Sequence, residues 1–304
     1  MVQLGYACIN LSLPASPNRS MIKRTFDAKG IKYASELAVT NVRTLIEVIK
    51  WNYKNDINVY RMSSDMVPWM SHYELTDLPD YELFKNLLHG AGTLAKKYGQ
   101  RISFHPGQFC QLGSVNPDTV TKSIKELRQH AEIMDLMGLP QSNMAKINIH
   151  VGNATGGKLA ATERFVKNFP LLPDNVKSRL VVENDDKPGL YTVQELYELV
   201  HKPLGIPITF DYLHHHCNPG DLQEQQALEL ALSTWPCRPC THYSSSKKLY
   251  EDESARLLQH TDYIYEEIKT YGHDIDIVCE VKAKDLAILE YRKQGAREKM
   301  LITS

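Results

Sequence analysis

Residues 146–150 read KINIH and residues 179–183 read RLVVE, and these two stretches decide the fold. Each is short, almost continuously apolar in its middle and rich in β-branched residues. Each also ends on a side chain that can bind a metal ion, His150 in the first and Glu183 in the second. Apolar runs of this length are typical of strands that are covered on both faces, so both stretches predict strands of a parallel sheet.

Six more runs of this kind bring the number of strand candidates to eight, and longer segments with helical periodicity separate them. The strand candidates are Val2–Tyr6, Ile57–Met62, Arg101–His105, Lys146–His150, Arg179–Glu183, Ile208–Asp211, Pro239–Ser244 and Asp276–Val281. The helix candidates are Val39–Tyr53, Tyr81–Tyr98, Asp118–Met137, Thr192–His201 and Asp252–Tyr271. This alternation predicts βα units.

Eight βα units in 304 residues match the size of a TIM barrel. We therefore predict an α/β fold, a single-domain TIM (β/α)8-type barrel, with a doubly wound open sheet as the alternative topology. No internal repeat or low-complexity linker is visible in the sequence. The barrel is predicted to occupy residues 1–285, and residues 286–304 are predicted to form a polar C-terminal extension.

The composition limits the class of protein. Hydrophobic residues make up 42% of the chain and charged residues 23%, which suits one large core and differs from a disordered chain. No run approaches the roughly 18 apolar residues of a membrane span. We expect a soluble monomer inside the cell, in the cytoplasm, nucleoid or nucleus and not secreted, with its six scattered cysteines reduced. The formal charge of −1 excludes a protein that coats nucleic acid by electrostatics alone.

Residues that can bind metal ions stand where the later strand candidates end. They are His105, His150, Glu183, Asp211, His242 and Glu280. A lone histidine after an apolar run is more often a hydrogen-bonded capping residue, but six such residues at equivalent positions favour a site for several metal ions. The strand ends of a TIM barrel converge at one mouth, and mixed imidazoles and carboxylates suit zinc, manganese or iron rather than calcium. His72 and His214 are further candidates for this set.

Motifs around these positions carry a resemblance to a known family. They are Leu4-Gly5-Tyr6, Asn10-Leu11, Asn18-Arg19, Ser71-His72, His105-Pro106-Gly107-Gln108-Phe109, His150-Val151-Gly152, Glu183-Asn184-Asp185, Asp211-Tyr212-Leu213-His214-His215, Asn218-Pro219-Gly220, His242-Tyr243-Ser244, His260-Thr261-Asp262-Tyr263 and Glu280-Val281-Lys282-Ala283-Lys284. In this order, over residues 2–284, they make the chain resemble the UV damage endonucleases.

The resemblance implies a TIM barrel, related in its site to endonuclease IV, that holds a cluster of up to three divalent metal ions. Manganese is the expected metal, with zinc and magnesium as alternatives. The metal ligands implied by the resemblance are His72, His105, His150, Glu183, Asp211, His214, His242, His260 and Glu280. Glu183 and Glu280 are the implied bridging carboxylates, and both are assigned to catalysis together with His242. His260 is expected to lie in a helical region.

The implied substrate is damaged double-stranded DNA. Members of the family nick the backbone immediately 5′ to UV photoproducts, cyclobutane dimers and 6-4 photoproducts, and abasic or other distorting lesions are further candidates. A water molecule activated by the metal cluster is expected to attack the phosphodiester and leave 3′-hydroxyl and 5′-phosphate ends.

Lesion recognition calls for a side chain that wedges into the base stack, and Phe109 beside Gln108 is the candidate on the loop after His105. Family members often carry Gln-Tyr at this pair, so Phe109 keeps the stacking face and lacks the hydroxyl. The other residues predicted to contact DNA are Tyr6, Asn10, Arg19 and Lys282.

One position departs from the family pattern. Relatives typically place a lysine two residues before His242, where this chain has Cys240. Side chains two apart on a strand share a face, so Cys240 is expected to point into the barrel together with His242. A packed thiol is the favoured interpretation, and an additional soft ligand or a change in metal preference are the alternatives.

Two other functions remain open from the residues. A metal-dependent sugar isomerase on the same barrel would also collect Glu, Asp and His at strand ends, and it would have no affinity for DNA. A DNA-binding module without catalysis would bind lesions and leave the backbone intact.

Overall fold

The computed structural model describes the backbone of residues 2–302 and the side chains of residues 2–295. Eight strands run through this part of the chain. They are β1 (Gln3–Ala7), β2 (Val59–Met62), β3 (Arg101–Phe104), β4 (Ile147–Ile149), β5 (Leu180–Glu183), β6 (Ile208–Thr209), β7 (Cys240–Tyr243) and β8 (Asp276–Cys279). All eight overlap the predicted strands, because short apolar runs form the buried strands of a parallel sheet.

The strands are parallel and follow the order β6-β5-β4-β3-β2-β1-β8-β7. A bridge between Asp211 and His242 and a backbone hydrogen bond from His242 to Phe210 (2.9 Å) link the two ends of this order. The TIM-type barrel is therefore confirmed, and the open sheet is excluded. Gly5 allows close pairing of β1 and β2, because a Cβ atom there would lie 1.9 Å from the Val59 carbonyl oxygen.

Helices follow the strands and cover the outside of the barrel. They are α1 (Lys23–Lys54), α2 (Tyr81–Lys97), α3 (Pro117–Leu136), α4 (Lys158–Asn168), α5 (Asp174–Lys177), α6 (Val193–Leu196), α7 (Lys202–Leu204), α8 (Tyr212–Cys217), α9 (Glu224–Ser233), α10 (Lys247–Tyr250) and α11 (Lys284–Ile302). No helix within residues 2–302 is long and apolar enough to cross a membrane.

Local sequence explains several helix boundaries. Asn116 caps α3 by accepting a hydrogen bond from the Asp118 backbone, and Pro117 occupies the first turn, where no N–H is needed. Thr192 and Glu195 form a capping box at the start of α6. The predicted Thr192–His201 helix is present as α6 followed by a π-helical turn, Tyr197–His201.

Two helix predictions need correction. Asp252–Tyr271 was expected to be a helix, but this segment consists of turns, bends and an isolated bridge from His260 to Ser246. Ala255, Ile264 and Ile268 of this segment are buried, whereas Leu257, Tyr263 and Tyr265 are exposed. The helix predicted at Val39–Tyr53 is longer and begins at Lys23, with a break at Gly30, whose φ of 65° interrupts the helical geometry.

The C-terminal boundary at residue 285 stays a prediction. Helix α11 begins at Lys284 and continues across this boundary, and Ala287 and Ile288 are buried in the main core. Residues 303 and 304 of the predicted extension lie outside the described residues.

Candidate metal centre

Six side chains from different strands meet at the mouth of the barrel. Each stands at or just after the carboxyl end of its strand, because parallel strands in a barrel all end on the same side. They are His105 after β3, His150 after β4, Glu183 at the end of β5, Asp211 after β6, His242 within β7 and Glu280 after β8. A seventh, His214, lies one turn into α8.

The local structure around Asp211 brings His214 into the set. Asp211 caps α8, and its Oδ1 accepts a hydrogen bond from the His214 backbone nitrogen at 2.8 Å. Asn184, the residue after Glu183, holds the backbone of Asp211 through both ends of its amide, at 2.8 and 3.1 Å. The ends of β5 and β6 are thereby locked together.

These seven residues form three overlapping groups of three. Within each group, one ligand atom from every residue lies within 4.8 Å of the others. The groups are His105-His150-Glu183, Glu183-Asp211-His214 and Asp211-His242-Glu280. Glu183 and Asp211 each belong to two groups, whereas Glu280 belongs to one. Which carboxylates bridge metal ions stays a prediction, with Glu183 and Glu280 as the residues implied by the resemblance.

Glu183 is the centre of the arrangement. Its Oε2 lies 3.1 Å from His105 Nε2 and 3.0 Å from His242 Nδ1. Its Oε1 lies 3.2 Å from His214 Nδ1. Burial alone would raise the pKa of Glu183, but the surrounding imidazoles hold this pKa well below its ordinary value. Glu183 is therefore a buried carboxylate kept in its charged form.

Asp211 gives the clearest sign that a cation belongs here. Its carboxylate is completely buried, and Oδ2 has no hydrogen-bond partner. Burial raises the pKa of Asp211 to about 7. A buried carboxylate oxygen without a partner is costly in free energy, and a bound cation would offset this cost. The seven imidazoles and carboxylates thus fit a cluster of divalent metal ions.

Two of the histidines are held from behind in the manner of metal ligands. Nδ1 lies 3.1 Å from the Pro106 carbonyl oxygen in His105 and 2.9 Å from Asp185 Oδ1 in His150, and Nε2 of both rings is on the side of Glu183. Nδ1 of His214 lies 2.9 Å from the Asn184 carbonyl oxygen and also faces Glu183 Oε1. Such outer hydrogen bonds set the orientation and tautomer of an imidazole that binds a metal.

Polar residues around the ligands were not predicted as site residues. Arg61 on β2 forms an ion pair with Glu280, and Asn148 on β4 donates to Glu183 Oε2. Burial would raise the pKa of Glu280, but Arg61 holds it well below its ordinary value. Asp185 behind His150 belongs to the same class. Arg61 and Asn148 could have been predicted from the sequence, because each is a polar residue within a mostly apolar strand.

Lys146 is the least expected member of this layer. Its side chain is completely buried, and Nζ lies 2.9 Å from His242 Nε2. Burial lowers the pKa of Lys146 to about 8. The lysine typical of relatives at position 240 is replaced by Cys240, which is buried with Ala7, Val59 and Val278. The packed thiol stays the favoured interpretation of this residue.

Two predicted ligands do not join the three groups. His72 is exposed at the end of a short 3-10 turn, and its ring contacts those of Trp69 (4.9 Å between centroids) and Phe26 (5.7 Å). His260 lies on the irregular segment after α10, where its Nδ1 is 2.7 Å from Ser244 Oγ. Loop paths, which strand patterns do not report, determine both positions.

Two of the residues predicted to contact DNA have buried side chains in this structure. Tyr6 is completely buried, with its hydroxyl donating to Asn52 Oδ1 at 2.7 Å. Asn10 donates to the Tyr6 hydroxyl and accepts from the backbone of Leu13. These two residues hold the loop after β1 in place, and their contact with DNA stays a prediction.

Three other predicted contacts remain at the surface. Gln108 and Phe109 are exposed on the loop after β3, Phe109 at 77%, and Lys282 is exposed after β8. Arg19 is half-buried and donates to Thr44 Oγ1 at 3.1 Å. The guanidinium of Arg19 is thus already engaged within the protein.

The loop that carries Phe109 is firmly anchored. Ser123 on α3 accepts from the Gln111 backbone at 2.8 Å, and Asn168 donates to the Leu112 carbonyl at 2.8 Å. Arg164 on α4 donates to the Gly113 carbonyl at 2.8 Å. These hydrogen bonds hold the loop two to four residues after Phe109, whose ring is exposed.

Comparison with known proteins agrees with this site. The family described as UV-endonuclease UvdE matches residues 2–301. The chain belongs to the UvdE family. A UV-damage endonuclease of Schizosaccharomyces pombe is 33% identical over 95% of this chain, and the chain spans 50% of the length of that relative. A UV DNA damage endonuclease of Bacillus cereus is 34% identical over 95% of this chain and 93% of its own length.

Solved structures with a similar fold include one that is also similar to this UvdE-family chain in sequence. SacUVDE superposes with a TM-score of 0.85 and 31% identity, covering 98% of this chain and 99% of its own. Endonuclease IV from Thermus thermophilus, with a TM-score of 0.58 and 13% identity, covers 97% of this chain and 99% of its own. A D-psicose 3-epimerase, with a TM-score of 0.54 and 13% identity, covers 80% and 83%. The last two similarities establish the fold alone.

Proposed function

We propose that this UvdE-family protein is a metal-dependent endonuclease that nicks UV-damaged double-stranded DNA. The proposal rests on the three overlapping ligand groups at the mouth of the barrel. One of their members, Asp211, has a buried carboxylate oxygen without a hydrogen bond among the described residues. The named activity of the relatives supplies the substrate class. The sugar isomerase alternative is supported only by distant likeness of fold.

The proposed cofactor is a cluster of up to three Mn2+ ions. Mixed nitrogen and oxygen ligands suit Mn2+, and Zn2+ is the alternative that the histidines would favour. When bound, such a cluster supplies a water activated near neutral pH and offsets the negative charge of the phosphate. The nine residues implied by the family resemblance remain our proposed ligands, with the seven clustered ones as the core and His72 and His260 as the outer two.

The protein's own residues then have separate tasks. Glu183 belongs to the first and second ligand groups, and Asp211 belongs to the second and third. These two carboxylates therefore link neighbouring ligand groups. Arg61 holds Glu280 in its charged form. His242 presents Nδ1 to both Glu183 and Glu280, at 3.0 and 3.2 Å. This positioning of ligands requires no protein nucleophile.

We propose that Phe109 recognises the lesion by inserting beside the damaged bases. An apolar wedge responds to weakened stacking rather than to base sequence, so bulky photoproducts are the expected targets and abasic sites further ones. Gln108 is proposed to contact the exposed bases, and Lys282 to contact a backbone phosphate. The nick is proposed to fall immediately 5′ to the lesion.

We propose that a monomer performs this reaction in the compartment that holds the DNA, nucleoid or nucleus. The decisive experiment uses an end-labelled duplex with one cyclobutane dimer, a second with one 6-4 photoproduct and an undamaged control. Each is incubated with the metal-free protein, then with added Mn2+, Zn2+ or Mg2+.

A Mn2+-dependent nick one bond 5′ to the lesion is the expected result. Ligation of the isolated ends would report 3′-hydroxyl and 5′-phosphate termini. Lesion binding without nicking under every metal would instead indicate a binding module. Equal cutting of damaged and undamaged duplexes would contradict damage recognition.

A further inference from the structure

The lysine beneath the metal centre lies where no counter-ion contacts it. Lys146 immediately precedes β4, and its side chain reaches into the barrel interior below Glu183 and His242. Its Nζ lies 3.1 Å from Thr209 Oγ1, 3.3 Å from Asn148 Oδ1 and 3.5 Å from the Cys240 carbonyl oxygen. None of these partners is charged. A buried amine that contacts only neutral groups is costly in free energy, which points to a role beyond packing.

The fourth contact of Lys146 supplies that role. Its Nζ lies 2.9 Å from His242 Nε2, and the opposite ring nitrogen, Nδ1, faces the carboxylates of Glu183 and Glu280. The imidazole therefore stands between the lysine on one side and the ligand cluster on the other. Rotation of this ring would remove Nδ1 from the cluster and would break the contact with Lys146.

His242 also differs from the other clustered histidines in what holds it. His105 and His214 are held by backbone carbonyl oxygens and His150 by Asp185, the usual partners of a metal-binding imidazole. In the part of the chain that the structure describes, no carbonyl or carboxylate group contacts His242 Nε2, and the hydrogen bond recorded at this nitrogen is the one with Lys146.

We propose that Lys146 is the positioning residue for His242: its amine nitrogen accepts the hydrogen bond of Nε2–H and so fixes the ring with the lone pair of Nδ1 facing the metal centre. Asn148, two residues along the same strand, extends the device, because it contacts both Lys146 and Glu183. One buried side chain thus supports ligands from β5 and β7 together. This inference rests on the metal centre of the proposed function.

The test separates metal binding from folding. Lys146→Met keeps the length of the side chain and removes the amine, whereas Lys146→Gln keeps an acceptor, its amide oxygen, for the Nε2–H of His242. Mn2+ binding is measured by calorimetry without DNA, and the visible spectrum of the Co2+-loaded protein reports ligand geometry. Lys158→Met is the matched control, because it removes a mouth-side lysine whose partner is Glu195.

Lys146→Met is expected to weaken Mn2+ binding by about 10- to 100-fold and to change the Co2+ spectrum. Its metal-free unfolding midpoint is expected to stay the same or rise, because an apolar side chain replaces a buried amine. Lys146→Gln should recover part of the affinity and resemble the wild-type spectrum. Lys158→Met should bind Mn2+ within about threefold of wild type.

Two results would overturn the inference alone. One is unchanged Mn2+ affinity in Lys146→Met, given a wild-type protein that binds Mn2+. The other is a parallel fall of affinity and unfolding midpoint in both Lys146 variants, which would assign Lys146 to the core only. A wild-type protein that binds neither Mn2+ nor Co2+ would overturn the metal centre and this inference together.

Discussion

The two ends of the barrel treat buried charge in opposite ways. At the amino-terminal end, Asp276 at the start of β8 pairs with Arg101 at 3.0 Å and Arg238 at 2.6 Å, and Arg101 also donates to the Asn143 carbonyl at 2.8 Å. At the mouth, Asp211 is buried with an oxygen that has no hydrogen bond. At the amino-terminal end, a buried carboxylate is neutralised by two arginines. At the mouth, a buried carboxylate has an oxygen that a bound cation would satisfy.

The difference indicates that the amino-terminal end contributes to stability and that the mouth contributes the metal-binding residues. Paired charges at the amino-terminal end close the barrel and require nothing further. The mouth holds three carboxylates and four histidines together, and a bound cation removes the mutual repulsion of the carboxylates. Substitutions at the two ends should therefore change different measurements.

The largest expected effect is at the mouth. Glu183→Gln keeps the shape and removes the charge shared by two ligand groups, so nicking of irradiated plasmid should fall by at least about 100-fold. Relaxed circles on agarose gels measure this. Glu163→Gln, an exposed change on α4, is the control. Full activity of Glu183→Gln would remove Glu183 from the centre.

A substitution at the amino-terminal end of the barrel should lower the stability of the protein and leave its nicking activity unchanged. Asp276→Asn leaves two arginines without their buried carboxylate, which should lower the free energy of unfolding by about 3 to 5 kcal/mol. Urea unfolding measures this loss. Nicking per folded molecule should be retained at a temperature well below the transition. A loss of activity in the folded variant would break the division between the two ends.

A histidine outside the mouth sharpens the comparison. His130 on α3 is completely buried, and burial lowers its pKa from 6.5 to about 4. Because the folded pKa is below the unfolded one, its contribution to stability is present above pH 6.5 and is lost as the pH falls through about 4. Metal should not affect this dependence.

The measurement compares wild type with His130→Gln by urea unfolding in EDTA from pH 7 to pH 4. The carboxylates titrate in both proteins, so their effects cancel in the difference. Wild type should lose about 3 kcal/mol more than the variant over this range. Parallel pH profiles would show that His130 does not carry the dependence.

Phe109→Ala should weaken binding to a damaged duplex by about 10- to 100-fold, because base–aromatic stacking contributes about 1 to 3 kcal/mol. Stability should be unchanged, since the ring is 77% exposed. Fluorescence anisotropy in EDTA measures binding without cleavage. Leu171→Ala, which truncates an exposed leucine that follows α4, is the control and should bind like wild type.

The smallest effect is expected at Cys240. Cys240→Ala removes a packed sulfur atom and should lower the free energy of unfolding by about 1 kcal/mol. Metal content, measured by atomic emission after dialysis against Mn2+, should not change. A loss of one bound ion would show instead that the thiol is a ligand.

Much of the centre could be predicted from the sequence because strand ends are a local property. A short apolar run ends where polar residues begin, and parallel strands place those ends together. This reasoning gave His105, His150, Glu183, Asp211, His242 and Glu280. His214, three residues past Asp211, was a further candidate that the family resemblance also implied. The resemblance also supplied the damage-specific function, which no strand pattern contains.

The sequence by itself determined the eight-strand barrel and the ligand types at its mouth. Only the tertiary structure decided that Asp211 is shared between two groups, that Tyr6 is buried and that Lys146 supports His242. The physical reason is that periodicity reports which face of an element is covered. Contacts across the barrel depend instead on strand tilt, register and the paths of loops. His72 and His260, both on loops, differ from expectation for that reason.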